Sequence, residues 1–164
     1  MNERDAARLV EEFEQLRLPK PQWTHEAHLV VCRATLQRLG PAGALAHLRR
    51  AIRAYNESTG GANTDTGGYH ETLTAYYVGA VDAAGGTDRV GGVGSAEPLS
   101  RDACSPGPPS LDELVAHPAC SRTAPLRHWS RARLFSVEAR RGWVEPDLEP
   151  LAWWSPDAVE PAAG

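Results

Sequence analysis

The chain has 164 residues, 41% of them hydrophobic and 23% charged, the size and balance of a single globular domain and neither a disordered nor a fibrous chain. Its 17 Lys and Arg stand against 21 Asp and Glu for a net charge of −4, so the molecule as a whole lacks the cationic field that draws a protein to a phosphate backbone. No apolar run approaches the ~20 residues of a bilayer span, and the start Met1-Asn2-Glu3-Arg4-Asp5 lacks the basic head and apolar centre of a secretory signal. Membrane and nucleic acid are therefore not expected as partners, and a cytoplasmic address is. Cys32, Cys104 and Cys120 form an odd set at wide spacing, expected as reduced thiols.

The apolar positions Ala6, Leu9, Val10, Phe13 and Leu16 recur mostly at three- and four-residue steps and predict a first helix over 2–18, stopped by Pro19 and Pro21. Thr24 as N-cap, Glu26 in the first turn and Gly40-Pro41 at the exit predict a second helix over 25–39. Pro41 suits the first turn of a third, in which Leu45, Leu48, Ile52 and Tyr55 form the buried stripe and which ends near Asn56. A polar turn over 63–68 leads into a fourth helix with Tyr69, Leu73, Tyr76 and Ala80 on its inner face; the β-branched and aromatic residues there suit a strand too, but period-2 alternation is absent.

Glycine and proline crowd residues 84–109, which read as a flexible linker. Ser110 can cap a short helix over 111–116 ended by Pro118, and Pro125 starts an apolar segment holding Leu126, Trp129, Leu134 and Phe135. Ser136 can cap a last helix through Arg141, followed by an extended strap that lays Val144, Leu148 and Leu151 over the core. The expectation is an all-α fold: one compact antiparallel helical bundle over 1–151, the linker within it, and a tail over 152–164.

The second helix carries the most informative residues. His25, His28, Leu29, Cys32, Leu36 and Leu39 fall within about one third of the helix circumference at ~100° per residue, so both imidazoles face inward. Ring nitrogens one turn apart can reach a common ion, although His-Glu-Ala-His is not the His-Glu-x-x-His of metalloproteases. His70 follows a glycine-rich turn and supplies a third imidazole, which makes a shell with an open position for water or substrate. Against this stands the simpler reading of each histidine packed singly and satisfied by a backbone carbonyl.

Glu71 is a candidate base or orienting group, with a solvated acid of the first helical turn as the alternative. Tyr69 and Tyr77 can offer hydroxyls to a bound oxyanion or serve as core. His128, beside Trp129, is a possible proton shuttle or fourth ligand. Arg131 can hold an anionic substrate group by a bidentate contact, with Trp129 as apolar neighbour. The arginines of 127–141 interleave with aromatics, but Glu138, Glu145, Asp147 and Glu149 lie nearby, so a salt-bridged face is expected in place of a basic track.

Three blocks, Trp23-Thr24-His25-Glu26-Ala27-His28-Leu29, Asn63-Thr64 through Gly68-Tyr69-His70-Glu71-Thr72, and Ser130-Arg131 through Ala139-Arg140 with Trp143-Val144-Glu145-Pro146-Asp147-Leu148, resemble a family of small bacterial proteins. The resemblance implies no activity and no metal. It implies that the blocks holding the paired histidines and the Gly-Tyr-His-Glu turn are those by which the family is recognised, and this chain departs from it in its glycine-rich central segment.

The expected function is a small metal-dependent enzyme acting on a small molecule. His25, His28 and His70 would bind a divalent transition metal, zinc for hydrolysis or hydration, or iron or copper for oxygen chemistry. The alternatives are a metal-free enzyme using His70 and Glu71 as acid and base, and a non-catalytic small-molecule-binding or accessory module. The sequence leaves the oligomeric state open.

Overall fold

The computed structural model describes residues 1–86 and 109–153, and among these the fold is all-α, without a strand. Most of the expected linker, Cys104 and the tail from 154 onward lie outside the described residues. No helix among the described residues is long and apolar enough to cross a membrane.

Helix α1 (Glu3–Glu14) starts where Asn2 Oδ1 accepts from Asp5 N at 2.8 Å. It buries Ala6 and Phe13 with Leu9 and Val10 packed alongside, as the periodicity predicts. It ends earlier than expected: Leu16 takes a left-handed φ of 57° and is exposed, so the last predicted position of the stripe turns away from the core. Leu18 then returns inward, and its carbonyl accepts from the Tyr55 hydroxyl at 3.1 Å.

Helix α2 (His25–Ser58) is made of the second and third predicted helices, two limbs joined across a kink at Gly40, whose φ of 67° and ψ of 175° lie outside the helical region. The residue before a proline is pushed out of the α conformation, and glycine adopts a positive φ at little cost, so the first limb stops at Gly40 and the second starts at Pro41, where the sequence predicts the break. The first limb is buried nearly all round, including Leu29, Val30, Val31, Thr35 and Leu36, because α1, α3 (Glu71–Val81) and α4 (Leu111–Ala116) pack on different sides of α2. Leu39, beside the bend, is exposed, contrary to the expected stripe.

The fourth predicted helix is α3, and it is a helix. It passes into a π-type turn over Asp82–Gly86. Ser110 caps α4 in a full capping box, its hydroxyl accepting from Glu113 N and Glu113 accepting from Ser110 N. The chain then runs through turns at Pro118–Cys120 and Ala124–Arg127 into α5 (Arg131–Leu134) and α6 (Val137–Arg141).

Ser136 caps α6 as predicted. In the strap, Val144 and Leu151 are buried but Leu148 is exposed; its N–H donates to His128 O at 2.9 Å. The strap continues past its expected end, because Trp153 sits against Gly79, Tyr76 and His128.

The expected salt-bridged face takes another form. Arg133 Nε donates to the Glu145 carbonyl at 2.7 Å, Arg140 donates to the carbonyls of Gly68 and Tyr69, and Arg141 grips Asp65 through two 2.7 Å bonds. Arg133 thus ties α5 to the strap, and Arg140 and Arg141 tie α6 to the 63–69 turn, in place of pairing with the neighbouring acids. That turn leads directly into His70.

Candidate functional site: a cavity between α2, α3 and the 118–135 segment

Thr24 caps α2 by accepting from Ala27 N at 3.3 Å. This places Trp23 one position before the cap and His28 in the fourth helical position, the pair that a hydrophobic staple brings together. Their rings lie 3.8 Å apart, and Trp23 stacks in turn on Phe13 at 4.5 Å. His28 Nδ1 donates to the Thr24 carbonyl one turn back at 2.7 Å, which leaves Nε2 as the acceptor of a neutral imidazole. Burial holds the His28 imidazole down to about 4, so the neutral form prevails at neutral pH.

His25, one turn earlier, donates from Nε2 to the Cys120 carbonyl at 2.7 Å and meets the Tyr77 ring edge-on at 5.2 Å. Its Nδ1 has no partner among the described residues. His70 is the N-cap of α3. Its Nδ1 accepts from Leu73 N at 3.3 Å and its Nε2 donates to Leu134 O at 2.9 Å, so both nitrogens are engaged. Burial lowers its tendency to protonate.

All three rings line one cavity of about 590 Å³, walled by Trp23, Tyr69, Tyr77 and Phe135 with aliphatic side chains from α2, α3 and the 125–134 segment. The predicted convergence of the three histidines is thus present at the level of the cavity wall. A metal centre is not. Among the described residues His25 and His28 each keep one nitrogen free, but both nitrogens of His70 are engaged, and no three His, Cys, Asp or Glu side chains are grouped to hold an ion. The residues do not fit the zinc, iron or copper site that their spacing suggested.

Glu71 does not face this cavity as a base. It is buried at the start of α3, where Arg49 Nε donates to Oε2 at 2.9 Å, Arg49 Nη2 to Oε1, and the Tyr69 hydroxyl to Oε2 at 2.8 Å. The Tyr69 ring reaches the cavity while its hydroxyl is spent on this network, beneath the Arg53 guanidinium at 4.7 Å. The Tyr77 hydroxyl donates to the Ser121 carbonyl at 3.1 Å, and burial pushes it up to about 12. Tyr77 therefore contributes a ring, not an acid, to the wall.

Three expected site residues lie elsewhere. His128 Nδ1 donates to the Glu149 carbonyl at 2.9 Å and packs against Trp153. Trp129 is fully buried, with its indole N–H donating to Val144 O at 3.0 Å. Arg131 lies over the ring of Phe135 at 5.5 Å and does not line the cavity. His128 and Trp129 hold the strap, and Arg131 packs locally at the end of α5.

Trp23 and Arg122 are among the cavity residues that the sequence did not single out. Trp23 was legible as a staple, since an aromatic directly before a Thr cap seeks the fourth helical position. Arg122 falls between Pro118 and Pro125, where no periodicity marks a face; the available signal was a cation in Ser121-Arg122-Thr123 with no acid beside it. Its side chain is 68% exposed and makes a long 3.9 Å ion pair with Glu26 at the cavity's rim. Cys32 and Cys120 are free and buried, and burial pushes both thiols up, Cys120 to about 11, so neither offers a reactive thiolate. Compared with protein-family models, curated proteins and solved structures, the chain matches none.

Proposed function

We propose that the protein is a binding module for a small organic molecule, held in the cavity between α2 and α3 without a metal ion. The observation that carries this reading is a pair of imidazole nitrogens, His28 Nε2 and His25 Nδ1, that have no partner among the described residues, on rings that line a 590 Å³ cavity with aromatic walls. Apolar walls supply binding energy at ~25 cal/mol per Å² buried, and a few polar atoms fix orientation. Lone pairs with no internal partner are polar atoms of that kind.

Binding is favoured over catalysis because the acid–base pair expected at this site is already committed, His70 to Leu73 and Leu134 and Glu71 to Arg49 and Tyr69. An imidazole held near 4 accepts hydrogen bonds at neutral pH but is a weak general base there. The free thiols of Cys32 and Cys120 support a reducing, cytoplasmic setting.

A saturation-transfer magnetic resonance screen of small aromatic and aliphatic compounds tests this, with Leu73→Trp as the cavity-filling control. Leu73 lines the cavity and is only partly buried. Compounds that bind the wild type and lose their signal with the folded variant support the reading. Compounds that bind both equally, or none at all, refute it.

A further inference from the structure

The charges around the cavity narrow the class of ligand. Among the described residues that line it there is no Asp or Glu, and Arg122 is the only Arg or Lys. The 3.9 Å pair with Glu26 leaves most of the five N–H donors of that guanidinium available. Its positive charge is close enough to bear on the ionisation of both His28 and Tyr77, two residues of the wall.

A cationic ligand would meet this charge with no carboxylate in the wall to balance it. A purely apolar ligand would bury the nitrogen of His28 without a donor, at about 1–3 kcal/mol for an unsatisfied polar atom. The complementary molecule has an aromatic body for the rings of Trp23 and Tyr77, one O–H for an imidazole acceptor and one anionic group for Arg122. A cavity of about 590 Å³ takes such a molecule with a side chain attached to its ring.

We propose that the cavity binds a hydroxyaryl carboxylate, its ring against Trp23 and Tyr77, its hydroxyl donating to His28 Nε2 and its carboxylate paired with Arg122. This rests on the small-molecule-binding reading above and adds the ligand's chemical class to it.

Isothermal titration of the full chain at pH 7.5 tests the class with 3- and 4-hydroxycinnamate, cinnamate without the hydroxyl, 4-hydroxycinnamamide without the charge, and the cation tyramine. The better hydroxycinnamate isomer is expected to bind at least tenfold more tightly than cinnamate or the amide, with tyramine weakest. Arg122→Gln, at an exposed side chain, should lower hydroxycinnamate affinity about tenfold and leave amide affinity unchanged, and Arg122→Lys should recover part of the loss. His28→Phe should bring hydroxycinnamate down to the level of cinnamate.

Amide or tyramine binding as tightly as the acid, or an Arg122→Gln variant that binds the acid as well as the wild type does, overturns the class. So does failure of every aryl acid, and if screen compounds of other chemistry still bind in a Leu73-dependent way, the binding reading survives alone. Hydroxycinnamate binding that is undiminished in Leu73→Trp overturns both.

Discussion

His70 Nε2 donates to the carbonyl of Leu134, 64 positions along the chain, at 2.9 Å, while the same ring caps α3 through Nδ1. One side chain thus joins a helix start to the end of α5. His70→Ala removes both bonds from a buried site and is expected to cost about 2–3 kcal/mol of stability. His70→Asn keeps a capping oxygen but does not reach Leu134, and about half of the loss should remain. Urea denaturation of the three proteins measures the difference. Because the ring has no free lone pair, 100 µM zinc should raise the Tm of neither wild type nor variant; a zinc-induced rise of several degrees that His70→Ala abolishes would restore the metal site.

Arg49 and Glu71 form the other tie of this corner. The Glu71 side chain is 8% exposed and that of Arg49 is 47% exposed, so removing the arginine strands a buried carboxylate that keeps only the Tyr69 hydroxyl. A lost partner of a fully buried pair costs about 3–5 kcal/mol, and solvent at the Arg49 end reduces this to about 2 kcal/mol for Arg49→Met. In a Glu71→Gln background the same substitution should cost under about 1 kcal/mol, since no charge is left behind. A double-mutant cycle by chemical denaturation reads the coupling, and additive losses would show that Glu71 does not depend on Arg49.

The parts of this structure legible in the sequence are those decided within a few residues. Thr24, Ser110 and Ser136 cap helices, and Gly40-Pro41 bends α2, because a cap or a positive φ is a local matter. Periodicity located the faces holding Phe13, Leu48 and Tyr76. It did not tell that Leu16, Leu39 and Leu148 would be left uncovered, since that depends on what packs against the face. The histidines show the same division. Their placement around one cavity followed from helical spacing and the glycine turn, whereas the roles of their nitrogens were set by carbonyls of Cys120 and Leu134, far away in the chain. Arg122 went unnoticed because the segment that carries it has no regular period.

Gly67 and Gly68 are adjacent in the turn before His70 and should respond differently to substitution. Gly68 has a φ of 78°, and a Cβ there would collide with the Ala62 carbonyl and with Asn63. Gly68→Ala is expected to cost about 3 kcal/mol through left-handed strain and the clash, and to loosen the Arg140 bonds to the carbonyls of Gly68 and Tyr69. At Gly67 a Cβ would meet only Thr64 Oγ1 at 3.7 Å, an ordinary contact, and Gly67→Ala should change stability by under about 0.5 kcal/mol. Thermal denaturation of the two variants side by side checks the contrast.

The His28 imidazole fixes the sign of an acid response. Its ordinary value of 6.5 applies to the unfolded chain, and burial holds the native ring down to about 4, with the bond to the Thr24 carbonyl opposing and the nearby Arg122 guanidinium adding to the depression. Between these values the unfolded chain binds the extra proton, so the stability contributed by neutral His28 is present above pH 6.5, falls as the pH drops toward 4, and changes no further below it. Allowing for the partial exposure of the ring, the loss is about 2 kcal/mol. His28→Phe keeps an aromatic face against Trp23 and removes the titration. Urea midpoints at pH 7.5 and pH 4.5 should therefore show the wild type losing about 1–2 kcal/mol more than the variant. The wild type retains a further acid sensitivity from His70, shifted the same way by burial, which His28→Phe leaves in place. Equal losses in the two proteins would mean that His28 ionises freely in the native state and that its Nε2 is not held as a neutral acceptor.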